Sequence, residues 1–313
     1  MKKRKKKSNG IAGMIAALLL VGLLFGGGMA VVNAELNKIN REENSVTEAG
    51  TSTNSNIMNI LVIGQDRRPG EDRARSDSMI LCSYNKTTKN VTMISFMRDM
   101  YVEIPGYGKT KINAAYAYGG MSLLDQTIEN NFGVHIDGNI EVDFEAFMTV
   151  IDDIGGVEIE LNQEEADYLN VNNTGLVDGT TTDAWTLTAG VNTLTSQQAL
   201  AYARTRYVGN SDWERTDRQR RVMTAIINKF KSIGVTQQMS LINTVLPTLT
   251  TDMSNGTMIS LGSSIVMSGM NLNGESYRIP VEGTYTSDNI DGMAVLVPDL
   301  EANKQYLQQY IGQ

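Results

Sequence analysis

Aspartate and arginine side chains gather at the ends of three short apolar runs in the first third of the chain. The runs cover residues 60–63, 79–84 and 91–96, and such runs are typical of buried strands in an α/β sheet. The charged residues that follow the first run, precede the second and follow the third are Asp66, Arg67 and Arg68, then Arg75 and Asp77, then Arg98 and Asp99. Open α/β sheets bind ligands at strand ends and in connecting loops, so these side chains are candidates for a binding site.

These residue types suit chemistry on a pyrophosphate. The planar fork of arginine matches the oxygens of a phosphate group. Paired aspartates supply the oxygen ligands that Mg²⁺ prefers. Solvated loop charges would look the same in the sequence, so this cluster by itself leaves both interpretations open.

A second charged cluster lies in the second half of the chain. The segment SQQALAYARTRY, residues 196–207, is predicted to be helical, with Arg204 and Arg206 at its end. The residues that follow and open another helix are Asp212, Arg215, Asp217, Arg218, Gln219, Arg220 and Arg221. Alone, this cluster indicates a salt-bridged surface. Together with the first cluster, it predicts that both converge on one anionic ligand.

Alternating strand and helix patterns predict a single α/β domain over residues 57–313, which must position these side chains. Helices are predicted over 114–118 and 122–132, broken by Gly119 and Gly120. The polar segment 162–187 is predicted to be a loop over the site or an exposed excursion. From Ile242 onward the sequence predicts amphipathic helices, strands over 277–280 and 293–297, and a closing helix over 300–311. This last third holds no catalytic constellation and is interpreted as packing.

The N-terminus predicts a membrane anchor. Residues 1–10 are a basic tail, and residues 11–32 are 22 uncharged residues, enough at roughly 1.5 Å per residue to span about 30 Å of hydrocarbon. The positive-inside rule puts the tail in the cytoplasm and the domain outside, with polar residues 33–56 as an extracytoplasmic linker. A cleaved signal peptide is the alternative, although the run exceeds the usual length of about 7–15 apolar residues. Either way the domain is exported, and the sequence predicts a single-pass cell-membrane protein.

Composition argues against several classes of protein. The formal net charge is −8, and without the six basic residues of 2–7 the chain has 21 basic against 35 acidic residues. Such an acidic body argues against a nucleic-acid binder. The single cysteine, Cys82, forms no internal disulfide, and the single histidine, His135, argues against Ser-His-Asp chemistry and histidine-based zinc sites.

Seven motifs between residues 59 and 219 resemble those of the LytR-CpsA-Psr family of bacterial cell-envelope enzymes. They are NILVIGQDRR (59–68), RSDSM (75–79), SFMRD (95–99), KINAAYAYGG (111–120), DDIGGV (152–157), ALAYARTR (199–206) and DWERTDRQ (212–219). Their order and spacing make the resemblance specific. One departure is Phe96-Met97, where the family pattern often has Ile-Pro, but Arg98 and Asp99 are retained.

The resemblance implies a three-layer α/β/α sandwich with a central mixed sheet, whose pocket holds a polyprenyl-pyrophosphate-linked glycopolymer with the lipid tail in an apolar tunnel. It also implies transfer of the polymer to a muramic acid hydroxyl of peptidoglycan as a phosphodiester, leaving polyprenyl phosphate. Whether the polymer is teichoic acid, capsule or another glycan stays open. A polyprenyl-pyrophosphate hydrolase and a non-catalytic membrane-bound regulator are the alternatives.

The resemblance also implies residue roles. Asp66 and Asp77 would bind Mg²⁺. Asp99 would be the catalytic base, or would orient Arg98 instead. The residues expected to contact the pyrophosphate head are Arg68, Arg75, Arg98, Lys111, Arg204, Arg206, Arg218 and Gln219.

Overall fold

The computed structural model describes residues 29–42, 56–65, 73–142, 144–176, 184–205, 208–209, 212–268 and 276–312. Three residues with expected roles, Asp66, Arg68 and Arg206, lie outside these described residues, as does most of the expected membrane helix. Within the described ranges, no helix is long and apolar enough to cross a membrane.

The fold is mixed α/β, with a central mixed sheet. The strands in chain order are β1 (Asn40–Arg41), β2 (Ile57–Gln65), β3 (Ser76–Asn85), β4 (Asn90–Phe96), β5 (Tyr101–Ile104), β6 (Gly108–Lys111), β7 (Gly138–Val142), β8 (Val157–Leu161), β9 (Gly190–Leu194), β10 (Thr250–Thr251), β11 (Ser276–Ile279), β12 (Tyr285–Ile290) and β13 (Met293–Pro298). Seven of them form the central sheet, in the order β1-β10-β7-β2-β3-β4-β11. The other six form three two-stranded antiparallel sheets, β5–β6, β8–β9 and β12–β13.

Helices flank this sheet. They are α1 (Met29–Leu36), α2 (Ala114–Phe132), α3 (Phe144–Asp153), α4 (Gln163–Leu176), α5 (Ser196–Arg204), α6 (Asp212–Ser232), α7 (Val235–Val245), α8 (Asn255–Ser268) and α9 (Leu300–Ile311). The predicted strands over 277–280 and 293–297 and the predicted closing helix are confirmed as β11, β13 and α9.

The apolar runs form central strands because both faces of the sheet are buried. In β2, Ile60 and Val62 belong to one hydrophobic core, while Leu61 and Ile63 belong to another. Alternate side chains of a strand point to opposite faces, so one core lies on each side of the sheet. Cys82 is a buried residue of the first core.

The prediction of a loop over 162–187 is wrong for its first part, which forms α4. The sequence signal for this helix is a capping pair at its start. Glu165 N donates to Asn162 Oδ1 at 2.8 Å, and Asn162 N donates to Glu165 Oε2 at 3.1 Å. Ala166 and Leu169 then bury one face of the helix in the core. The polar residues in the first part of this segment therefore belong to the start of α4 and to its exposed face.

The two predicted helices over 114–132 are one helix with a kink. Gly119 and Gly120 have non-helical backbone angles inside α2, as the sequence predicts. Gly120 has φ +66°, and a Cβ there would collide with the Glu42 carboxylate and the Arg73 guanidinium. The glycine pair of the KINAAYAYGG motif therefore allows both the kink in α2 and the close approach of Glu42 and Arg73.

The packed structure begins before Ile57. Leu36 and Ile39 are buried in a core, and β1 pairs in parallel with β10. The Arg73 Nη2–Glu42 Oε1 distance is 3.1 Å. Part of the segment expected to be a linker is therefore docked against the edge of the sheet.

Candidate active site

The loop after β4 carries Arg98 and Asp99, the central pair of the site. Met97 N donates to Ile279 O at 2.8 Å, and Leu296 N donates to Asp99 O at 2.9 Å. Main-chain hydrogen bonds to β11 and β13 therefore fix this loop at the end of its strand.

Met97 stands where the family motif often has proline. Its N–H makes the hydrogen bond to Ile279 O, which a proline could not donate. Phe96 and Met97 are both buried, and the Phe96 ring contacts the Phe132 ring with centroids 5.4 Å apart. The loop is held by this bond and by burial in place of a proline ring.

Four charged side chains alternate in sign across the site. Arg98 Nη1 donates to Asp77 Oδ1 at 2.5 Å, and Arg98 Nε lies 3.4 Å from Asp99 Oδ2. Lys111 Nζ then donates to Asp99 Oδ1 at 2.6 Å. The Asp77 side chain is 33% exposed and that of Arg98 is 16% exposed, so a ligand can reach this chain of charges.

Three different elements bring these charges together. Asp77 is the second residue of β3, which starts beside the end of β2 because Gln65 pairs with Ser76. The β5–β6 hairpin pairs Tyr101 with Lys111, so the lysine returns to the vicinity of Asp99. Of the charges that the sequence places at strand ends, Asp77, Arg98 and Asp99 lie close together, and Lys111 joins them from the hairpin.

Helix α6 forms the opposite wall through Arg215 and Gln219, which are four residues apart and share a face. With Asp77, Ser78 and Arg98 they line a narrow cavity of about 10 Å³. Ser78 Oγ donates to Gln219 Oε1 at 3.2 Å. Arg215 was not among the residues expected to contact the pyrophosphate. Its position four residues before Gln219 was the signal that could have identified it.

Ion pairs anchor α6 over the ends of β4 and β11. Arg220 donates to Ser95 Oγ at 2.8 Å and pairs with Asp217, which also accepts from Arg278 at 3.0 Å. Arg278 stacks over the Trp213 ring, with its guanidinium carbon 4.4 Å from the centroid. Burial lowers the pKa of Arg220, and the charge of Arg278 lowers it further. Asp217 supplies the charge that compensates these two arginines.

Arg218 points away from this cavity, into a buried site. Its side chain and that of Glu165 are each 2% exposed, with Arg218 Nε 3.0 Å from Glu165 Oε1. The Nη1 and Nη2 atoms donate to Thr205 O at 3.1 Å and to Val208 O at 2.8 Å. Arg218 therefore binds the main chain at Thr205 and at Val208, before and after Arg206 in sequence. Its expected contact with the pyrophosphate stays a prediction.

Two further side chains complete this buried network. Arg221 Nη1 donates to the Tyr202 hydroxyl at 2.8 Å, and the hydroxyl donates to Glu165 Oε1 at 3.3 Å. Burial raises the pKa of Tyr202 to about 12, so the phenol keeps its proton at neutral pH.

The other expected contacts are dispersed. Arg75 is exposed just before β3, and Arg204 is half-buried at the end of α5. Asp66, Arg68 and Arg206 lie outside the described residues, so their roles stay predictions.

An apolar cavity of about 110 Å³ adjoins the charged cleft. Its walls consist almost entirely of aliphatic and aromatic side chains: Val62, Ile63, Ile80, Ile140, Val142, Phe147, Val150, Leu200, Ala203, Met223, Ile226, Val245 and Leu249. Ser78, Arg204 and Gln219 are its polar lining residues, and Ser78 and Gln219 also line the charged cleft. A charged site and an apolar cavity therefore share one boundary.

Asp77 is the one expected metal ligand within the described ranges, where no group of three or more His, Cys, Asp or Glu side chains could hold a metal. Mg²⁺ usually keeps several waters and takes one or two protein carboxylates together with phosphate oxygens of the substrate. A partly exposed aspartate beside an arginine-lined cleft fits that kind of site.

Comparisons with known proteins agree with this architecture. The chain matches the LytR_cpsA_psr family over residues 26–310. It is 33% identical over 249 residues to the Bacillus subtilis (strain 168) polyisoprenyl-teichoic acid–peptidoglycan teichoic acid transferase TagT, covering 74% of each chain. It is 29% identical over 267 residues to the regulatory protein MsrR of Staphylococcus aureus (strain COL), covering 84% of this chain and 76% of that protein.

A solved structure extends the comparison to the fold. The LytR-CPS2A-psr family protein YwtF (TagT) with bound octaprenyl pyrophosphate lipid superposes with a TM-score of 0.61 at 27% identity. The match covers 87% of this chain and 97% of that chain. With its charged strand ends, its adjoining apolar cavity and its motifs in order, the chain belongs to the LytR_cpsA_psr family.

Proposed function

We propose that this protein transfers a polyprenyl-pyrophosphate-linked glycopolymer to peptidoglycan and releases polyprenyl phosphate. The observation that carries the proposal is the shared boundary between the charged cleft and the apolar cavity at Ser78 and Gln219. A lipid pyrophosphate has an anionic head joined directly to a hydrocarbon tail, so it needs these two surroundings side by side. The relative named as a teichoic acid transferase and the structure with bound octaprenyl pyrophosphate support the same substrate class.

In the proposed reaction, a muramic acid hydroxyl attacks the phosphorus that bears the polymer. A new P–O bond forms, and the bond from that phosphorus to the bridging oxygen of the pyrophosphate breaks. The hydroxyl proton passes to the carboxylate of Asp99, which its partners Arg98 and Lys111 orient. Polyprenyl phosphate leaves with the negative charge.

Arginines facing the cleft stabilise that charge. Phosphoryl transfer depends mainly on positioning and charge neutralisation. Arg98 and Arg215 lie on opposite sides of the cleft, on the β4 loop and on α6, so a head that widened this space of about 10 Å³ would meet both guanidinium groups. The alternating Asp77–Arg98–Asp99–Lys111 chain has equal numbers of positive and negative groups. An incoming pyrophosphate can take over donors of Arg98 from Asp77.

We further propose that Mg²⁺ binds at Asp77, with Asp66 as a second ligand. When bound there, Mg²⁺ would neutralise phosphate charge and orient the head. Arg98 would then lose Asp77 as a partner and keep Asp99, which leaves its fork free for phosphate oxygens.

The membrane location is also part of the proposal. The uncharged run 11–32 after a basic tail supports a single-pass anchor with the domain outside the cytoplasm. Hydrophobic cores on both faces of the sheet support the three-layer α/β/α arrangement expected of the family. A lipid-linked donor is available at such a location, whereas ATP is not.

The test uses the full-length chain in detergent micelles, with a polyprenyl-pyrophosphate-linked oligosaccharide, peptidoglycan fragments and Mg²⁺. Mass spectrometry should find a phosphodiester-linked adduct with the wild type and none with Asp77→Asn or Arg98→Ala. Lys109→Ala is the matched control, because Lys109 is an exposed cation in the neighbouring hairpin. Lipid phosphate without adduct would identify a hydrolase, and binding without turnover would identify a regulator.

The metal is tested separately. Removal of divalent ions with EDTA should abolish adduct formation, and Mg²⁺ should restore it. Full activity in excess EDTA would exclude the metal while leaving the transferase proposal intact.

A further inference from the structure

We propose that a cleft between the β12–β13 hairpin and α9 binds a saccharide chain, the glycan strand of the peptidoglycan acceptor. This inference rests on the proposed transferase function and adds an acceptor-binding site to it. The cleft lies in the last third of the chain, for which the sequence analysis predicted a packing role and no binding site.

The cleft has a volume of about 680 Å³ and is open to solvent. Residues of both elements line it: Gly283, Thr284, Tyr285, Thr286, Val297, Asp299, Ala302, Gln305, Tyr306 and Gln309. This volume falls within the usual range of about 300–1,000 Å³ for binding sites of small molecules. It is therefore large enough for a short run of sugar rings.

The lining has the chemistry that a neutral saccharide requires. Tyr306 is 39% exposed, and an exposed aromatic ring can cover the apolar C–H face of a pyranose. Gln305 and Gln309 each offer an amide that both donates and accepts, as sugar hydroxyls and N-acetyl groups do. Thr286 adds a hydroxyl group on the opposite side.

A buried asparagine fixes the shape of the cleft. Asn303, which is 0% exposed, accepts from Val281 N at 2.9 Å and donates to Thr284 Oγ1 at 2.9 Å. Asp299 N donates to Thr284 O at 2.7 Å. These bonds hold the turn before β12 against the start of α9. Little ordering of the rim is then needed when a ligand binds.

The walls of the cleft contact elements that carry the candidate active site. The Tyr285 ring lines the cleft and contacts the Trp213 ring, with centroids 5.4 Å apart. Trp213 lies on α6, two residues before Arg215. The other strand of the hairpin reaches the catalytic loop, because Leu296 N donates to Asp99 O at 2.9 Å. A glycan in the cleft would therefore lie beside the loop that carries the proposed base.

Charge favours the acceptor over the donor as the occupant. A phosphate-rich glycopolymer needs cations, but the lining residues include no lysine or arginine, and Asp299 adds a negative charge. A glycan backbone of N-acetylated sugars is uncharged. The cleft thus matches the peptidoglycan strand, whereas the arginines of the active site match the donor.

Binding is tested first with full-length protein and an uncharged β-1,4-linked N-acetylglucosamine hexamer, by isothermal titration calorimetry. Tyr306→Ala should weaken binding at least about tenfold, the loss expected for an aromatic contact at the centre of a site. Gln305→Ala, at an exposed position, should weaken it about threefold, the scale of one neutral hydrogen bond. Tyr107→Ala is the matched control, because Tyr107 is an exposed tyrosine on the β5–β6 turn that stacks on Tyr118.

Equal binding by wild type, Tyr306→Ala and Tyr107→Ala would overturn the inference. So would displacement of the hexamer by a phosphate-bearing glycopolymer that binds more tightly in the same cleft.

Kinetics separate this inference from the proposed function. Tyr306→Ala should raise the KM for the peptidoglycan acceptor about tenfold and leave the KM for the lipid-linked donor within about twofold, as expected when one ligand loses a contact. Parallel increases in both constants would contradict the inference. If the wild type binds the hexamer but performs no transfer, the proposed function fails while the saccharide site stands.

Discussion

Two groups of paired arginines and carboxylates in this molecule have the same chemistry and opposite surroundings. In the charged cleft, the side chains of Asp77 and Arg98 are 33% and 16% exposed. In the buried network, those of Glu165 and Arg218 are each 2% exposed. An ion pair at the surface can exchange a partner for a ligand at little cost, whereas a buried one cannot. The difference in burial therefore indicates that Arg98 can bind a ligand, whereas Arg218 stabilises the fold.

Helix α6 contributes to both groups within one turn. Arg215 lines the charged cleft, and Arg218, three residues later, bonds Glu165, Thr205 O and Val208 O. Residues three apart lie near one face of a helix, yet the Arg215 side chain lines the cleft while the Arg218 side chain lies against α4 and the end of α5.

The largest effect on stability is expected at the buried pair. Glu165→Ala should lower the free energy of unfolding by about 3–5 kcal/mol, because it leaves the Arg218 charge buried without its partner. Chemical denaturation monitored by circular dichroism measures this. Glu164→Ala, the exposed neighbour, should change it by no more than about 1 kcal/mol. Equal losses in both variants would show that the buried pair has no special role.

The reverse outcome is expected in the cleft. Arg98→Lys keeps the charge but loses the planar fork, and transfer should fall about 100- to 1,000-fold. The free energy of unfolding should change by no more than about 1 kcal/mol, because the side chain is partly exposed. Initial rates of adduct formation and a denaturation curve measure the two effects. If Arg98→Lys lost as much stability as Glu165→Ala, the ion pairs of the charged cleft and of the buried network would not differ in their contribution to the fold.

A matched pair on α6 sharpens the comparison further. Arg218→Lys should cost about 2 kcal/mol of stability, since one ammonium cannot replace three directed hydrogen bonds. Arg215→Lys should lower the transfer rate about tenfold or more, because it removes the planar fork that faces the cleft. Initial rates and denaturation curves for both variants measure the two effects, and Arg215→Lys should be the slower variant. If Arg215→Lys were the less stable and the more active of the two, their roles would be exchanged.

The smallest effect is expected at the edge of the buried network. Tyr202→Phe removes the hydroxyl that accepts from Arg221 and donates to Glu165, and it should cost about 1 kcal/mol. Thermal unfolding at pH 7 measures this loss. Because Arg218 and Glu165 keep their direct bond, transfer by Tyr202→Phe should stay near the wild-type rate.

The sequence predicted the strands well, because buried central strands appear as short apolar runs whatever their partners are. It also predicted that Asp77, Arg98 and Asp99 converge, since strand ends of one sheet meet. It could not separate Arg215 from Arg218. Both are buried arginines on a polar helix start, and only the position of Glu165, 53 residues before Arg218, determines which one pairs with that carboxylate.

The parts that were missed depend on long-range packing. The polar composition of segment 162–187 concealed α4. Only one face of that helix is buried, and Ala166 and Leu169 are its buried apolar residues. The cleft at α9 carries no charged motif at all. Neutral side chains such as Tyr306 and Gln305 form a site only when the hairpin is folded against the helix.

The docked segment before Ile57 has a practical consequence for handling the isolated domain. Asn40 N donates to Leu249 O at 3.0 Å and Glu42 N donates to Thr251 O at 3.2 Å, so β1 covers the open edge of the sheet at β10. A chain shortened to begin at Ile57, the boundary that composition suggests, would leave this edge unpaired. Exposed strand edges recruit other strands and cause self-association. A soluble version should therefore keep residues 29–42, which shield the sheet against aggregation.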